Sequence, residues 1–408
     1  MRILAITNVL GIGSEGYSAY CILNELAKIE GNEVYVITNS VDDYAINNHF
    51  VKVKELRLNT RRRSWTVMFK IYTQILTEIF LIRYDIDVIQ QVYGIPATIT
   101  PILHPSVPFL WTYALYNDPS FVPGNLVFED DKLLFFGEPP DRFRNPGVHK
   151  YTTIRKLFDA FAGKLITGFS NVFREIVFPK VLNRFSMIIA GDSLSFNYYK
   201  KITNTAKVVL LPETIDLSEF AYTPPPRNKM LLTLATLYAH EGTDVAITAM
   251  KKIVDAIPDS KLHVLGGGPQ RKFLEKLTDE LGLSRNVFFH GYVPRREVHS
   301  YFEMCSVILL PSFIKSGGLT QKEAMAAGRP VVATRTQGYT DSITDGVEGF
   351  LVAVGDSEGM ADAAIRLINN YDMVLEMSRN ARKKSEQTFD SALSARILHN
   401  IIHQIKNS

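Results

Sequence analysis

Short apolar segments alternate with helical segments along the second half of the chain. Runs such as LLTLATL, KLHVLGG and NVFFHGYV are each followed by a stretch with the spacing of an amphipathic helix, as over residues 243–256. Strands that are apolar on both faces and joined by helices are typical of a parallel sheet covered on both sides. The first 40 residues repeat this order, with a strand at 3–6, a glycine loop at 11–16, a helix at 18–29 and a strand at 33–37. We therefore predict an α/β protein with two Rossmann-like, doubly wound domains.

A proline-rich segment, TPPPRNK at residues 223–229, separates the two halves. Three consecutive prolines continue neither a helix nor a central strand, and they make a semi-rigid connector. We predict an N-terminal domain over residues 1–222, a second domain over 223–390 and a terminal helix within 391–408. The 408 residues are ample for this division.

The composition excludes several classes of protein. Hydrophobic residues make up 46% and charged residues 21%, which are proportions of a folded globular chain and not of a disordered or fibrous one. The net charge of +3 argues against nucleic-acid binding. Only Cys21 and Cys305 could form a disulfide, and they lack the spacing of a zinc site. With no signal peptide and no long apolar run, we predict a reduced, cytoplasmic protein.

Two segments of the first half are strongly basic. Residues 51–85 hold eight basic and three acidic side chains, and residues 150–184 hold seven basic and two acidic ones. Apolar residues recur at helical spacing in both; in the first segment they are Trp65, Met68, Phe69, Tyr72, Ile75, Leu76 and Ile79. One interpretation is two helices that pack on the core and expose basic faces. The other is a surface for anionic lipid headgroups, where each basic residue contributes about 1 kcal/mol, which would suit a lipid-linked substrate on the inner face of a membrane.

The densest chemical pattern lies between residues 309 and 352. A strand ends at Pro311, a loop containing Gly317 and Gly318 follows, and a helix begins near Leu319. Free backbone N–H groups at such a helix start, together with the helix dipole, favour phosphate oxygens. The predicted phosphate-binding N–H groups are those of Gly318, Leu319 and Thr320. Glu323 lies one turn further, where its carboxylate can accept hydrogen bonds from sugar hydroxyls.

The same segment resembles a known family. The order PS, glycine loop, EAMAAGRPVVAT and DGVEGFLV is similar to the donor-binding half of the retaining glycosyltransferases of family 4. LHVLGGGP, NVFFHGYVP, LLPETIDLSEF and the N-terminal glycine loop are similar to further family segments, so the resemblance covers nearly the whole chain and is weakest over residues 40–185. It implies the GT-B fold, two Rossmann-like domains facing each other across a cleft. It also implies that the terminal helix within residues 391–408 returns towards the first domain.

The resemblance also implies an activity. A family member moves a sugar from a nucleoside-diphosphate sugar to an acceptor hydroxyl, on a lipid-linked or glycan acceptor, with retention of anomeric configuration. No metal or other cofactor is expected, because the leaving diphosphate would be held by backbone N–H groups and no DxD-type pair of carboxylates is convincingly placed.

Three positions depart from the family pattern. The family carries a Glu, seven residues and a second Glu; here the second is Glu323, but the first is Lys315. An Arg and a Lys that clamp the donor diphosphate are replaced by Thr236 and Glu241. A carboxylate beside a diphosphate repels it, by about 4 kcal/mol at roughly 4 Å and an effective dielectric constant near 20.

These departures leave three interpretations open. The first is a working transferase with a changed donor, in which Lys315 pairs with an anionic sugar such as a uronate or sulfonate, or replaces the lost phosphate-binding charge. The second is a catalytically impaired member that acts as a partner or scaffold of an active transferase. The third is a different GT-B reaction, such as a phosphorylase-like or epimerase-like one. In the first interpretation Glu323 and Lys315 are the predicted catalytic residues.

Four further residues complete the predicted donor site. Gly16 would let the backbone of the first glycine loop approach the ligand, although a tight turn explains it equally well. Thr236 stands at a clamp position, Gly268 lies in the turn after a strand, and Tyr292 could contact the base. Asp341 and Asp345 are predicted to form turns and helix caps.

Overall fold

The computed structural model describes residues 1–10, 13–41, 48–56, 63–92, 107–114, 126–129, 132–135, 182–204, 207–315 and 318–407. Gly317 and nearly all of residues 150–184 lie outside these ranges. The chain divides into two compact units. The first comprises Met1–Leu10, Glu30–Leu210 and Ile401–Ser408, and the second comprises Gly11–Ile29 and Leu211–Asn400.

The first unit is built on a parallel sheet of seven strands in the order β3-β2-β1-β4-β5-β8-β9. The strands are β1 Arg2–Leu10, β2 Glu33–Val41, β3 Lys52–Glu55, β4 Val88–Val92, β5 Phe109–Ala114, β8 Met187–Ala190 and β9 Lys207–Leu210; β6 Leu126–Glu129 and β7 Lys132–Phe135 form a separate antiparallel pair. The helices are α1 Gly13–Lys28, α2 Arg63–Tyr84 and α3 Ser193–Ile202, of which α1 belongs to the second unit. The strand order reverses between β1 and β4, as in a doubly wound fold.

The second unit has a parallel sheet of six strands in the order β12-β11-β10-β13-β14-β15. The strands are β10 Met230–Leu234, β11 Lys261–Leu265, β12 Val287–Gly291, β13 Val307–Leu310, β14 Val331–Thr334 and β15 Gly349–Val352. The helices are α4 Thr243–Ala256, α5 Arg271–Glu280, α6 Arg295–Met304, α7 Thr320–Ala326, α8 Gln337–Thr340, α9 Ser357–Asn369, α10 Tyr371–Thr388 and α11 Ser391–Lys406, of which α11 ends in the first unit. This order again reverses at its first strand, between β10 and β13. The predicted pair of Rossmann-like sheets is confirmed.

The longer segment of the second unit begins at Leu211, ahead of the prolines that were predicted to mark the boundary. Its first residues are bound to α10 and to the residues that follow it: Ile215 N–H donates to Phe389 O, and the Arg382 side chain donates to Phe220 O. These bonds hold the approach to the proline segment within the second unit, so the prolines do not separate the units.

Helix α1 begins earlier than the sequence indicated. It starts at Gly13, five residues before the predicted start at residue 18, so Gly16 lies inside the helix and not in a preceding loop. A glycine in a helix costs only about 1 kcal/mol relative to alanine, and burial of apolar residues such as Tyr17 and Ala19 on the same helix offsets that cost.

Helix α2 buries only part of its apolar stripe. Over its described side chains, residues 73–84, the buried positions are Thr73, Thr77 and Phe80, whereas Ile75, Ile79 and Ile82 are 50%, 46% and 86% exposed. Of the two interpretations left open for this segment, the one in which the stripe packs on the core is therefore contradicted at Ile75 and Ile79. Thr77 can face the core because its hydroxyl donates to Thr73 O at 2.8 Å. No helix in the described part of the chain is long and apolar enough to cross a membrane.

Candidate active site

Three loops of the second unit meet at the carboxyl ends of β10, β11 and β13. Backbone bonds join them: Leu237 N–H donates to Gly267 O at 3.0 Å, and Phe313 N–H donates to His240 O at 2.8 Å. Ligands of open parallel sheets bind beyond these strand ends, at the point where the strand order reverses. The three loops therefore form the candidate site.

Two glycines let these loops approach one another. A Cβ on Gly268 would lie 2.7 Å from Leu237 N, and a Cβ on Gly242, which has φ +67°, would lie 2.2 Å from Pro311 O. No side chain fits at either position. Gly268, predicted as a donor-binding residue, thus has a packing role in the loop itself.

The predicted catalytic residue Lys315 is paired with Glu241. Its Nζ lies 3.4 Å from both carboxylate oxygens of Glu241, and the Ser312 hydroxyl donates to the same carboxylate at 2.8 Å. Ser312 Oγ is also 3.0 Å from Tyr339 OH. Burial alone would lower the pKa of Lys315, but the Tyr339 and Glu241 groups outweigh it, so the pKa is raised and the ammonium stays charged. Two of the departures from the family pattern therefore contact each other with opposite charges.

The start of α7 already has a carboxylate acceptor. Gly318 N–H donates to Glu213 Oε2 at 3.0 Å, and Lys322 Nζ lies 3.6 Å from the same carboxylate. The side chains of Glu213 and Lys322 are each only 4% exposed. Leu319 caps α7 and Thr320 is its first residue, as the predicted phosphate site required. Glu213 was not among the predicted site residues. It is an acidic residue in LLPETIDLSEF, and its distance in sequence from the glycine loop hides the contact.

Glu323 is held by an arginine on α6. Arg295 Nη1 lies 2.6 Å from Glu323 Oε1, and its Nε lies 3.6 Å from Glu219. The guanidinium also stacks 3.4 Å from the ring centre of Tyr17, whose hydroxyl donates to Glu219 at 3.0 Å. Burial raises the pKa of Glu219, and the pKa of Arg295 is raised because Glu323 and its other neighbours outweigh burial. Sequence reasoning missed Arg295, although it opens a correctly predicted helix.

The remaining predicted residues are distributed around this cluster. Gly16 directly precedes Tyr17 in α1, which brings the first glycine segment to the Arg295 contact. Thr236 is exposed in the loop after β10, and Tyr292 is 82% exposed in the loop after β12. Asp345 accepts from Leu351 N–H at 2.9 Å, which confirms its predicted structural role. Gly317 lies outside the described residues.

The charges of the site are matched within the protein. Each cation faces a carboxylate from another element: Lys315 faces Glu241, Lys322 faces Glu213, and Arg295 faces Glu323 and Glu219. Removing one partner of a buried pair leaves the other charge uncompensated. The site therefore offers N–H donors and carboxylate acceptors in fixed positions, without an excess of positive charge among these residues.

The chain is similar to known proteins in sequence and in fold. Residues 214–384 match the family model described as glycosyl transferases group 1. The chain is 31% identical over 188 residues to D-inositol 3-phosphate glycosyltransferase of Corynebacterium jeikeium, covering 44% of this chain and 45% of the relative. It is also 29% identical over 171 residues to the GDP-mannose-dependent alpha-(1-6)-phosphatidylinositol monomannoside mannosyltransferase of Mycolicibacterium smegmatis. That match covers 38% of this chain and 45% of the relative. These matches thus span less than half the length of both relatives.

A solved structure matches over a much longer stretch. The crystal structure of HepE from Anabaena in complex with UDP aligns with 99% of this chain and 100% of its own, at a TM-score of 0.68 and 15% identity. An identity this low supports the fold and not the substrate. Residues 214–384 are therefore similar to the glycosyl transferases group 1, and the strand orders of both sheets together with this structural match show that the chain has the GT-B fold.

Proposed function

We propose that the protein is a glycosyltransferase that moves a sugar from a nucleoside-diphosphate sugar to an acceptor hydroxyl, with retention of configuration. The observation that carries the proposal is the position of Glu323. It lies in α7 inside the segment matched by the family model, with Lys315 and Gly318 in the loop that precedes the helix. The names of both curated relatives specify glycosyl transfer, and the name of one specifies GDP-mannose.

In the proposed reaction the site works by position and electrostatics. The acceptor hydroxyl attacks the anomeric carbon on the side from which the nucleoside diphosphate leaves. The bond between the anomeric carbon and the phosphate oxygen breaks as the bond to the acceptor oxygen forms, and the hydroxyl proton passes to the departing diphosphate. Glu323 Oε1 is held by Arg295, so its other oxygen would accept a donor hydroxyl. The leaving diphosphate would be stabilised by N–H groups at the start of α7, and we propose that no metal takes part. A phosphate oxygen would have to replace Glu213 as the acceptor of Gly318 N–H.

A thermal-shift screen tests the proposal. Uridine, guanosine and adenosine diphosphate sugars are added to the full chain, because a ligand at about 100 times its Kd contributes about 2.7 kcal/mol to stability. We expect a clear shift with one nucleotide and its loss in the variant Glu323→Ala. Transfer is then assayed with that donor. A shift of equal size in Glu323→Ala would remove the assignment of Glu323.

A second candidate function is that of an impaired partner or scaffold of an active transferase. The contact between Glu213 and Gly318 N–H favours it, because a resident carboxylate occupies one of the N–H groups that a donor phosphate needs. The absence of a shift with every nucleotide sugar would support this second function over the first.

We propose in addition that the acceptor is carried on a lipid and that helix α2 contacts the membrane surface as a peripheral element. The exposed side chains of Ile75, Ile79 and Ile82 recur at the spacing of one helix face, and the exposed Arg83 follows them. Such an apolar face beside basic residues suits an interface of anionic lipids. The name of the Mycolicibacterium relative also specifies a phosphatidylinositol mannoside.

Liposome sedimentation tests the membrane proposal. We expect vesicles with anionic lipid to bind the wild-type protein at low salt, and the triple change of Ile75, Ile79 and Ile82 to Ser to reduce the bound fraction several-fold. A matched control changes Phe273, Met304 and Ile397 to Ser, three exposed apolar residues on other helices. Equal binding by both triple variants would contradict a specific role for α2.

A further inference from the structure

The turn at Gly318 brings a hydrogen-bond donor and a hydrogen-bond acceptor to one point. Gly318 has φ +123°, and a Cβ placed on it would lie 2.8 Å from Lys315 Cε, 3.8 Å from Lys315 Nζ and 3.6 Å from Gln321 Oε1. The missing side chain leaves the Lys315 ammonium and the Gln321 amide beside the loop backbone. A group of a bound ligand near this turn would meet both.

The Gln321 amide oxygen has unused hydrogen-bonding capacity. Gln321 is fully buried, and within the described residues its Oε1 has no hydrogen-bond partner. Gly338 O fixes which way the Gln321 amide is turned. A carbonyl oxygen only accepts hydrogen bonds, so the amide nitrogen must face it, and Gln321 Nε2 lies 3.4 Å from Gly338 O. A buried acceptor without a partner costs free energy unless a ligand or water donates to it. A ligand group that carries an O–H or N–H and lies beside the Gly318 turn would supply the missing donor.

The Lys315 ammonium can also make further bonds. It has three N–H groups, and its 3.4 Å contacts to both Glu241 oxygens are longer than the roughly 2.7–2.9 Å of a strong charge-assisted bond. Glu241 nevertheless cancels the charge of Lys315. Any anionic group bound to Nζ would lie close to the Glu241 carboxylate and be repelled by it. His240 and Tyr339 border the same pair but do not supply a compensating cation, because burial lowers the pKa of His240 and Tyr339 is never positive.

We propose that Lys315 and Glu241 act as one unit that selects an uncharged donor sugar. Lys315 donates an N–H to a neutral oxygen of the sugar, and Gln321 Oε1 accepts from a hydroxyl or amide N–H of the same sugar. Glu241 holds the ammonium in place and disfavours a sugar with a carboxylate or sulfonate. The inference rests on the proposed transferase function. It replaces both roles that the sequence left open for Lys315, which were pairing with an anionic sugar and supplying the lost phosphate-binding charge.

Paired donors test this selection directly. UDP and GDP are first titrated into the full chain by calorimetry to find the nucleotide that binds. UDP-glucose is then compared with UDP-glucuronate, or GDP-mannose with GDP-mannuronate, which differ only in a hydroxymethyl or carboxylate group. We expect the wild-type protein to bind the neutral donor at least tenfold more tightly. In Glu241→Gln, which keeps the side-chain size and removes the charge, this ratio should fall at least tenfold.

The matched control is Glu275→Gln, which removes a similar charge from an exposed pair with Arg271 on α5 and should leave the ratio unchanged. Tighter binding of the acidic donor by the wild-type protein, or an unchanged ratio in Glu241→Gln, would overturn the inference while leaving the transferase function standing.

If Glu241→Gln does not fold, the ratio measured with the wild-type protein still decides. In that case Lys315→Gln is expected to weaken binding of the neutral donor several-fold without weakening binding of UDP or GDP alone. If neither nucleotide binds the wild-type protein, the proposed function fails and this inference fails with it.

Discussion

The two sides of the candidate site hold their cations in different ways. On one side, the planar guanidinium of Arg295 contacts Glu323 at 2.6 Å, approaches Glu219 and stacks on the ring of Tyr17. On the other, the ammonium of Lys315 has Glu241 as its carboxylate partner, at 3.4 Å from both oxygens. An arginine suits several fixed partners at once, whereas a lysine is a point charge on a flexible stem. The difference indicates that Arg295 is a fixed support that holds Glu323 in position, whereas Lys315 is a cation whose N–H groups a ligand can compete for.

The largest effect is expected from Arg295→Met. This change leaves Glu323 and Glu219 without their cation, and we expect the free energy of unfolding to fall by about 3 kcal/mol. Urea unfolding measures the change. Arg295→Lys keeps the charge but loses the planar contacts, so it should lie between the wild type and Arg295→Met. Lys229→Met, which removes an exposed pair with Asp259, serves as the control and should cost less than about 1 kcal/mol.

A smaller effect on stability is expected from Lys315→Met. The Lys315 side chain is 22% exposed and its contacts to Glu241 are long, so we expect a loss of about 1–2 kcal/mol in the same urea experiment. The same variant should also affect ligand binding. Lys315→Met should weaken the binding of a sugar nucleotide more than it weakens the binding of the free nucleotide. If Lys315→Met destabilises the protein as much as Arg295→Met, the distinction between support and ligand-facing side is wrong.

The smallest effect is expected from pH, through His240 beside the Lys315–Glu241 pair. Burial and Lys315 lower the pKa of His240 below its ordinary value of 6.5, so between the lowered pKa and about 6.5 the unfolded chain binds more protons than the folded one. Stability therefore rises with pH across this window and is lost as the pH falls from about 6.5. Urea unfolding at neutral and mildly acidic pH should show the loss, and His240→Gln should reduce it.

His263 and His290 provide the control for that measurement. Their pKa values are also lowered by burial, and their rings share a 2.8 Å contact between Nδ1 of His263 and Nε2 of His290. They act in the same direction as His240 but lie in β11 and β12. If His240→Gln leaves the pH dependence unchanged while His290→Gln removes it, the effect belongs to this pair and not to the candidate site.

The sequence predicted the framework of the second unit well because its strands and helices carry strong local patterns. The helices over residues 243–256 and 295–304 have the predicted bounds. The partners of the site residues were not predictable, because they come from segments distant in sequence: Glu213 reaches Gly318, and Arg295 reaches Glu323. In α2 the period was recognised but the buried face was not, because Thr77 satisfies its hydroxyl within the helix and packs inward in place of the isoleucines.

Hydrogen–deuterium exchange with and without a saturating nucleotide sugar shows where the donor binds. If a nucleoside-diphosphate sugar binds at the carboxyl ends of β10, β11 and β13, although the charges there are already paired, exchange should slow in peptides covering residues 235–242 and 311–323. Exchange should change little at residues 344–356. Protection confined to other segments, or unchanged exchange with every nucleotide sugar tested, would contradict binding at this site.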